Sequence, residues 1–175
     1  MRSRFIAVAV AVLLGLPLGV GPASAHVPRP GPHVRPLTPS ATAFLADATG
    51  RSPIVRNLVE RLGETDVVVY LAESMDGCAP NLRACLTFLV SAAGTRYVIV
   101  RVDRWLVAPW DRTAWLAHEL EHAIEIAGAP EVQDAASLAR FYRRIGWQSG
   151  SGRFESHQAR ATGNLVRQKL GSTAQ

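Results

Sequence analysis

His118-Glu119-Leu120-Glu121-His122 is an H-E-x-x-H run. Side chains four residues apart leave one face of a helix about a turn apart, so both imidazoles can reach a single metal ion. The Glu between them can then take a proton from a water polarised by that ion, which is the chemistry of zinc hydrolases. A chain with 5 His and 8 Glu in 175 residues produces such a string by chance in roughly one case in 160, so the run has weight only on a helix. The surrounding pattern is helical. Pro109 suits a first turn, with Asp111 complementing the helix dipole. Trp115, Leu116, Ala117, Leu120, Ala123, Ile124 and Ile126 supply apolar surface at helical spacing, and Gly128 with Pro130 marks the stop.

A catalytic zinc takes three protein ligands and keeps one position for water, so a third ligand is needed. A His placed six residues after His122 behind a Gly turn is excluded, because position 125 is Glu and position 128 is Gly. Glu125 shares the face of His118 and His122 but lies a further turn away, and a straight helix does not bring three such groups onto one ion. Glu131 and Asp134 follow the Gly128–Pro130 break, where either can also cap the next helix. Glu155, in Arg153-Phe154-Glu155-Ser156-His157, opens the final helix, and antiparallel packing of that helix on the motif helix brings it inward. Glu155 is the expected third ligand, with Glu131, Asp134, His157 and Glu125 as alternatives.

The segment His118-Glu119-Leu120-Glu121-His122-Ala123-Ile124, with Glu155 downstream, resembles the active-site helix of the zincin metallopeptidases, in particular the gluzincin group. The resemblance implies a zinc ion held by His118, His122 and Glu155, and peptide-bond hydrolysis with Glu119 as general base. It also implies a peptide or protein substrate that pairs with an edge strand, 95–102 or a neighbour, through main-chain hydrogen bonds. The specific match covers the motif helix and Glu155, and the rest is a similarity of element order. Ala159 stands four residues after Glu155, where many gluzincins carry an Asp. Tyr142 and His157 are the candidates for stabilising the oxyanion. The rival reading is a secreted zinc-binding protein that keeps a zincin-like scaffold without catalysis, its fourth metal position filled by His157 or Glu121.

The elements that must position these groups follow from periodicity. Residues 41–48 read as a short helix ending at Gly50, and Ser52-Pro53 opens a second helix closed by Gly63. Runs 66–72, 85–92 and 95–102 read as strands, the last two a hairpin about Ala93-Gly94. Residues 134–145 form a helix stopped by Gly146, 147–152 a Gly/Ser loop, and about 153–170 the final helix. The expected fold class is α+β, with a small antiparallel sheet of about three strands, an N-terminal helix, the motif helix and two C-terminal helices, which the resemblance implies is a minimal zincin-like domain.

Residues 1–25 read as a secretory signal peptide, with Arg2 and Arg4 ahead of an apolar stretch and Ala23-Ser24-Ala25 as the cleavage site. The apolar stretch is short for a bilayer and holds Gly15, Pro17 and Gly19, so no stable membrane anchor is expected. The product is expected to be secreted or periplasmic. Residues 26–39 hold five of the eleven Pro and read as an extended linker that includes a solvated His33, leaving 40–175 as the domain. Without residues 1–25 the formal charge of +5 loses two Arg, and the remaining Arg residues are spread out, so no nucleic-acid partner is expected. Cys78 and Cys85 in an exported chain are expected to form a disulfide.

Overall fold

A computed structural model of the chain describes residues 31–106, 108–150 and 153–172. The signal-peptide reading and the first part of the linker reading lie outside these residues. Proline and short polar side chains set where the first helices start. Thr38 accepts a hydrogen bond from Ala41 N at 3.1 Å and is followed by Pro39, so α1 spans Pro39–Arg51. Gly50 does not stop it. The stop is Ser52, which the following Pro53 keeps extended (φ −118°, ψ 108°). Ser52 then caps α2, Pro53–Leu62, by accepting from Val55 N at 3.3 Å, and Gly63 closes that helix.

The main sheet has four strands, β1 (Val34–Pro36), β2 (Val67–Ala72), β3 (Ala84–Ala92) and β4 (Thr95–Val102), in the order β1-β2-β4-β3. The expected hairpin is present: β3 and β4 are antiparallel around Ala93 (φ 50°) and Gly94 (φ 75°), two successive left-handed residues that match the twist of the strands. The expected antiparallel sheet of three strands is corrected to a mixed one, because β2 runs parallel to both β1 and β4. Residues 95–102 therefore lie inside the sheet and cannot be a substrate edge; β3 is the edge on that side. The linker reading is corrected at its C-terminal end. Val69 N donates to His33 O at 2.7 Å and Leu37 N to Leu71 O at 2.9 Å, which makes 34–36 a strand. A proline is tolerated there because an edge strand pairs on one side only. His33 is buried, with Nδ1 3.1 Å from Val67 O, rather than solvated.

The motif helix α3 spans Pro109–Ala127, with Pro109 in its first turn and Gly128 at its C-cap. It packs on the sheet, on α2 and on the last helix, burying Leu116, Leu120, Ala123 and Ile126 in the core. Helix α4 (Ala135–Ile145) begins at a reciprocal cap between Asp134 and Ser137. The expected loop at 147–152 and the expected helix start at 153 are both corrected. Residues Gly146–Gly150 (β5) and Arg153–Ser156 (β6) form an antiparallel hairpin, and α5 spans His157–Ser172. The helix starts where Ser156 Oγ accepts from Ala159 N at 3.0 Å. Gly146 is needed for the hairpin's close approach: a Cβ there would lie 1.9 Å from Glu155 O. No helix among the described residues is long and apolar enough to cross a membrane.

One buried cation ties the sheet to the motif helix. Arg96 of β4 is in phase with the buried Val98, Val100 and Val102. Its guanidinium donates to Ile126 O at 2.6 Å, Ala129 O at 2.7 Å and Ala127 O at 3.2 Å, the carbonyls at and just beyond the end of α3, and it pairs with both oxygens of Asp66. Carbonyls at a helix C-terminus lack partners within the helix. Arg96 supplies a donor from the sheet, beside the turn hydrogen bonds that Ile126 O and Ala129 O accept from Ala129 N and Val132 N.

Candidate metal centre

His118, Glu119 and His122 are all buried on α3, and the β5–β6 hairpin lays Glu155 across them. Glu155 Oε1 stands 3.4 Å from His118 Nε2 and 3.7 Å from His122 Nε2. The ligand atoms of His118, His122 and Glu155 all lie within 4.8 Å of one another, so the three can hold a metal ion. Glu155 reaches this position from a strand, not from the first turn of a helix, and Ser156 N donates to its Oε1 at 2.9 Å.

The alternatives for the third ligand, and Glu121, which the rival reading offers for the fourth position, have other partners. Glu131 pairs with Arg144 at the surface, and Asp134 caps α4. His157 packs against Trp147 at 4.8 Å between ring centroids, and Glu121 accepts from Thr162 Oγ1 of α5 at 3.0 Å. Glu125 lies beside the centre and holds one of its ligands. Its Oε2 is 2.8 Å from His122 Nδ1 and its Oε1 accepts from Ser156 Oγ at 2.5 Å. Tyr142 OH lies 2.9 Å from His122 Nδ1 and donates to His122 O at 3.3 Å. A carboxylate at Nδ1 keeps the proton on that nitrogen and leaves the Nε2 lone pair directed at Glu155. Tyr142 thus contacts His122 and also lines the cleft into which the centre opens. Sequence reasoning had no role for Ser156, whose N–H donates to Glu155 Oε1 and whose hydroxyl reaches Glu125 only when the folded chain brings the start of α5 against α3.

The electrostatics differ from residue to residue. Burial pushes His118 down to about 3, helped by the charges of His122 and Arg167, so it stays neutral. Burial also works against a charged His122, but the hydrogen bond to Glu125 and the charges of Glu119, Glu125 and Glu155 outweigh it and raise its pKa. Burial pushes Glu119 up to about 7, with His122 opposing and Glu155 reinforcing the rise. Glu155 is raised by burial, against the pull of Ser156 N–H, His122 and Arg160. Tyr142 is held well above 10.0 by burial and by Glu125.

The centre opens into a cleft of about 360 Å³. One wall is the loop from Gly77 to Leu82 with strand β3 from Ala84 to Phe88, and the other is α4 with Phe154. A disulfide between Cys78 and Cys85 ties that loop to β3. The lining is mostly apolar, with Leu82, Leu86, Phe88, Trp115, Leu138 and Phe154 around the polar group of His118, Glu119, His122 and Glu155. Comparison of the chain with family models, with curated proteins and with solved structures gives no match.

Proposed function

We propose that the protein is a zinc-dependent hydrolase of peptide bonds. The reading is carried by one observation: two imidazoles and a carboxylate converge within 4.8 Å, with the buried Glu119 beside them, at the floor of an apolar cleft. The donor set suits a divalent ion of borderline softness, because two neutral nitrogens and one carboxylate leave it a formal charge of about +1. A zinc ion held by His118, His122 and Glu155 supplies Lewis acidity, lowering the pKa of a water and offsetting the charge that builds on a carbonyl oxygen.

The chain's own groups do the rest. His118 is neutral without needing to lose a proton, and Glu125 fixes the His122 tautomer. Glu119 is poised near neutrality by burial, which suits a group that accepts a proton from water and returns it to a leaving amine. Apolar walls exclude bulk water and strengthen these charges. Strand β3 is an edge that lines the cleft, so an extended peptide can add to it through main-chain hydrogen bonds.

The test is Glu119→Gln. The variant retains one zinc per chain by metal analysis and loses at least about 100-fold in hydrolysis of a quenched-fluorescent peptide library. Undiminished hydrolysis by the purified variant would overturn the assignment of Glu119.

A further inference from the structure

The main cleft occupies one flank of the centre. On the other flank, between α3 and α5, lies a second cavity of about 140 Å³. It shares Trp115, His118 and Glu155 with the main cleft, so the two adjoin at the candidate metal centre. Its α5 wall is formed by Arg160, Asn164 and Arg167, which are four and then three residues apart and therefore share one helix face. Gly163 keeps that wall close to α3: a Cβ there would stand 3.1 Å from His118 Cβ.

The wall carries more positive charge than its neighbours neutralise. Arg167 is anchored in place, with Nε donating to Asp111 Oδ1 at 2.6 Å, one terminal nitrogen to Asn164 Oδ1 at 3.1 Å, and its guanidinium 5.4 Å from the Trp115 ring centroid. Arg160 has no carboxylate within ion-pair distance among the described residues. Its charge is felt by Glu155, whose carboxyl it pulls down. With Glu155 committed to an ion, Arg160 has no anion of its own.

We propose that this second cavity is the subsite for a carboxylate of the substrate, held by Arg160 together with the remaining donors of Arg167 and Asn164. The proposal rests on the hydrolase reading and adds a substrate class: peptides with a carboxylate beside the cleaved bond, carried by an acidic side chain or by a free C-terminus. A guanidinium gives such a group paired, charge-assisted hydrogen bonds, and Trp115 offers an apolar surface to the adjoining carbons.

Three zinc-binding hydroxamates with one common backbone test this by calorimetry on the zinc-loaded chain. The first has a neutral side chain and a C-terminal amide, the second an Asp side chain and the amide, the third the neutral side chain and a free C-terminal carboxylate. At least one carboxylate ligand is expected to bind about tenfold more tightly than the neutral one, and which one does so identifies the source. Arg160→Ala collapses that ratio towards one, and Arg160→Lys keeps part of it. Equal binding of all three ligands, or a ratio that survives Arg160→Ala, would overturn the subsite. So would Arg160→Ala lowering zinc affinity with the ratio unchanged, since Arg160 would then serve only to balance Glu155. Zinc binding with no hydroxamate binding would remove the hydrolase reading itself, and the subsite with it.

Discussion

The two imidazoles of the centre stand four residues apart on one helix but are held by different means. His122 is fixed by polar groups, with Glu125 on its Nδ1, Tyr142 beside both, and Ser156 bracing the carboxylate from the start of α5. Arg96 anchors the same end of the helix. No described residue hydrogen-bonds the His118 ring. It is held by packing, edge-on to Trp115 at 5.6 Å and against Gly163. Its end of the helix starts at Ala108 with no side-chain cap and is tied by the more buried pair of Arg112 and Glu73 and by the half-exposed pair of Asp111 and Arg167, the latter a kind of contact that contributes about 0–1 kcal/mol. A directional hydrogen bond fixes a ring's rotation and tautomer, whereas packing fixes only its volume. The His122 end therefore sets the geometry of the site, and the His118 end can adapt.

Damage at the His122 end is expected to be the more severe. Arg96→Met has the largest expected effect, a loss of about 2–3 kcal/mol in urea unfolding, because it removes the buried donor that Asp66 and the helix-end carbonyls share. A loss below about 1 kcal/mol would mean that α3 is anchored elsewhere. Glu125→Ala should weaken zinc binding by about 10–100-fold in chelator competition, with Glu125→Gln recovering part of it. A variant with wild-type affinity would place His122 on the same footing as His118. At the packed end, Gly163→Ala pits better helix propensity against a contact of 3.1 Å with His118 Cβ. Stability should stay within about 1 kcal/mol of wild type, while zinc affinity falls by less than the Glu125→Ala change.

The anchor also has a pH signature. Asp66 is held below its ordinary 3.8 by the hydrogen bond and charge of Arg96. Its folded pKa is depressed, so the stabilisation is complete above 3.8 and is lost as pH falls through the lower, folded value. Asp66→Asn should thus cost stability at neutral pH and progressively less below 3.8. A stability difference that stays constant down the acid limb of the unfolding profile would remove Asp66 from the anchor.

Much of the site-bearing helix was readable directly. Pro109, the apolar spacing and Gly128 delimit α3, and the placing of His118 and His122 on one face is a local property of that helix. The hairpin of β3 and β4 was equally local, since Ala93-Gly94 turns the chain back on itself. The errors arose where short elements have no periodicity. Residues 146–150 and 153–156 contain Gly and Ser in place of alternating apolar side chains, so they read as a loop and a helix start, although they form the hairpin that carries Glu155. Prolines hid β1, since an edge strand needs only one side of its backbone. The parallel pairing of β2 with β4 joins segments separated by the whole of β3, and no adjacent turn signals it. Arg96 left a trace that periodicity can detect, an Arg in phase with three inward-facing valines.

The residues alone specified two imidazoles on one face with a carboxylate between them, because helical geometry converts a spacing of four into a shared direction. They also narrowed the third ligand to a few downstream acids and one His. Only the folded chain brings one of those, Glu155, within 4.8 Å of both imidazoles, on a strand that Gly146 allows to approach, and places Glu125 against His122 Nδ1. These placements depend on contacts between segments tens of residues apart, which a spacing rule within one helix cannot describe.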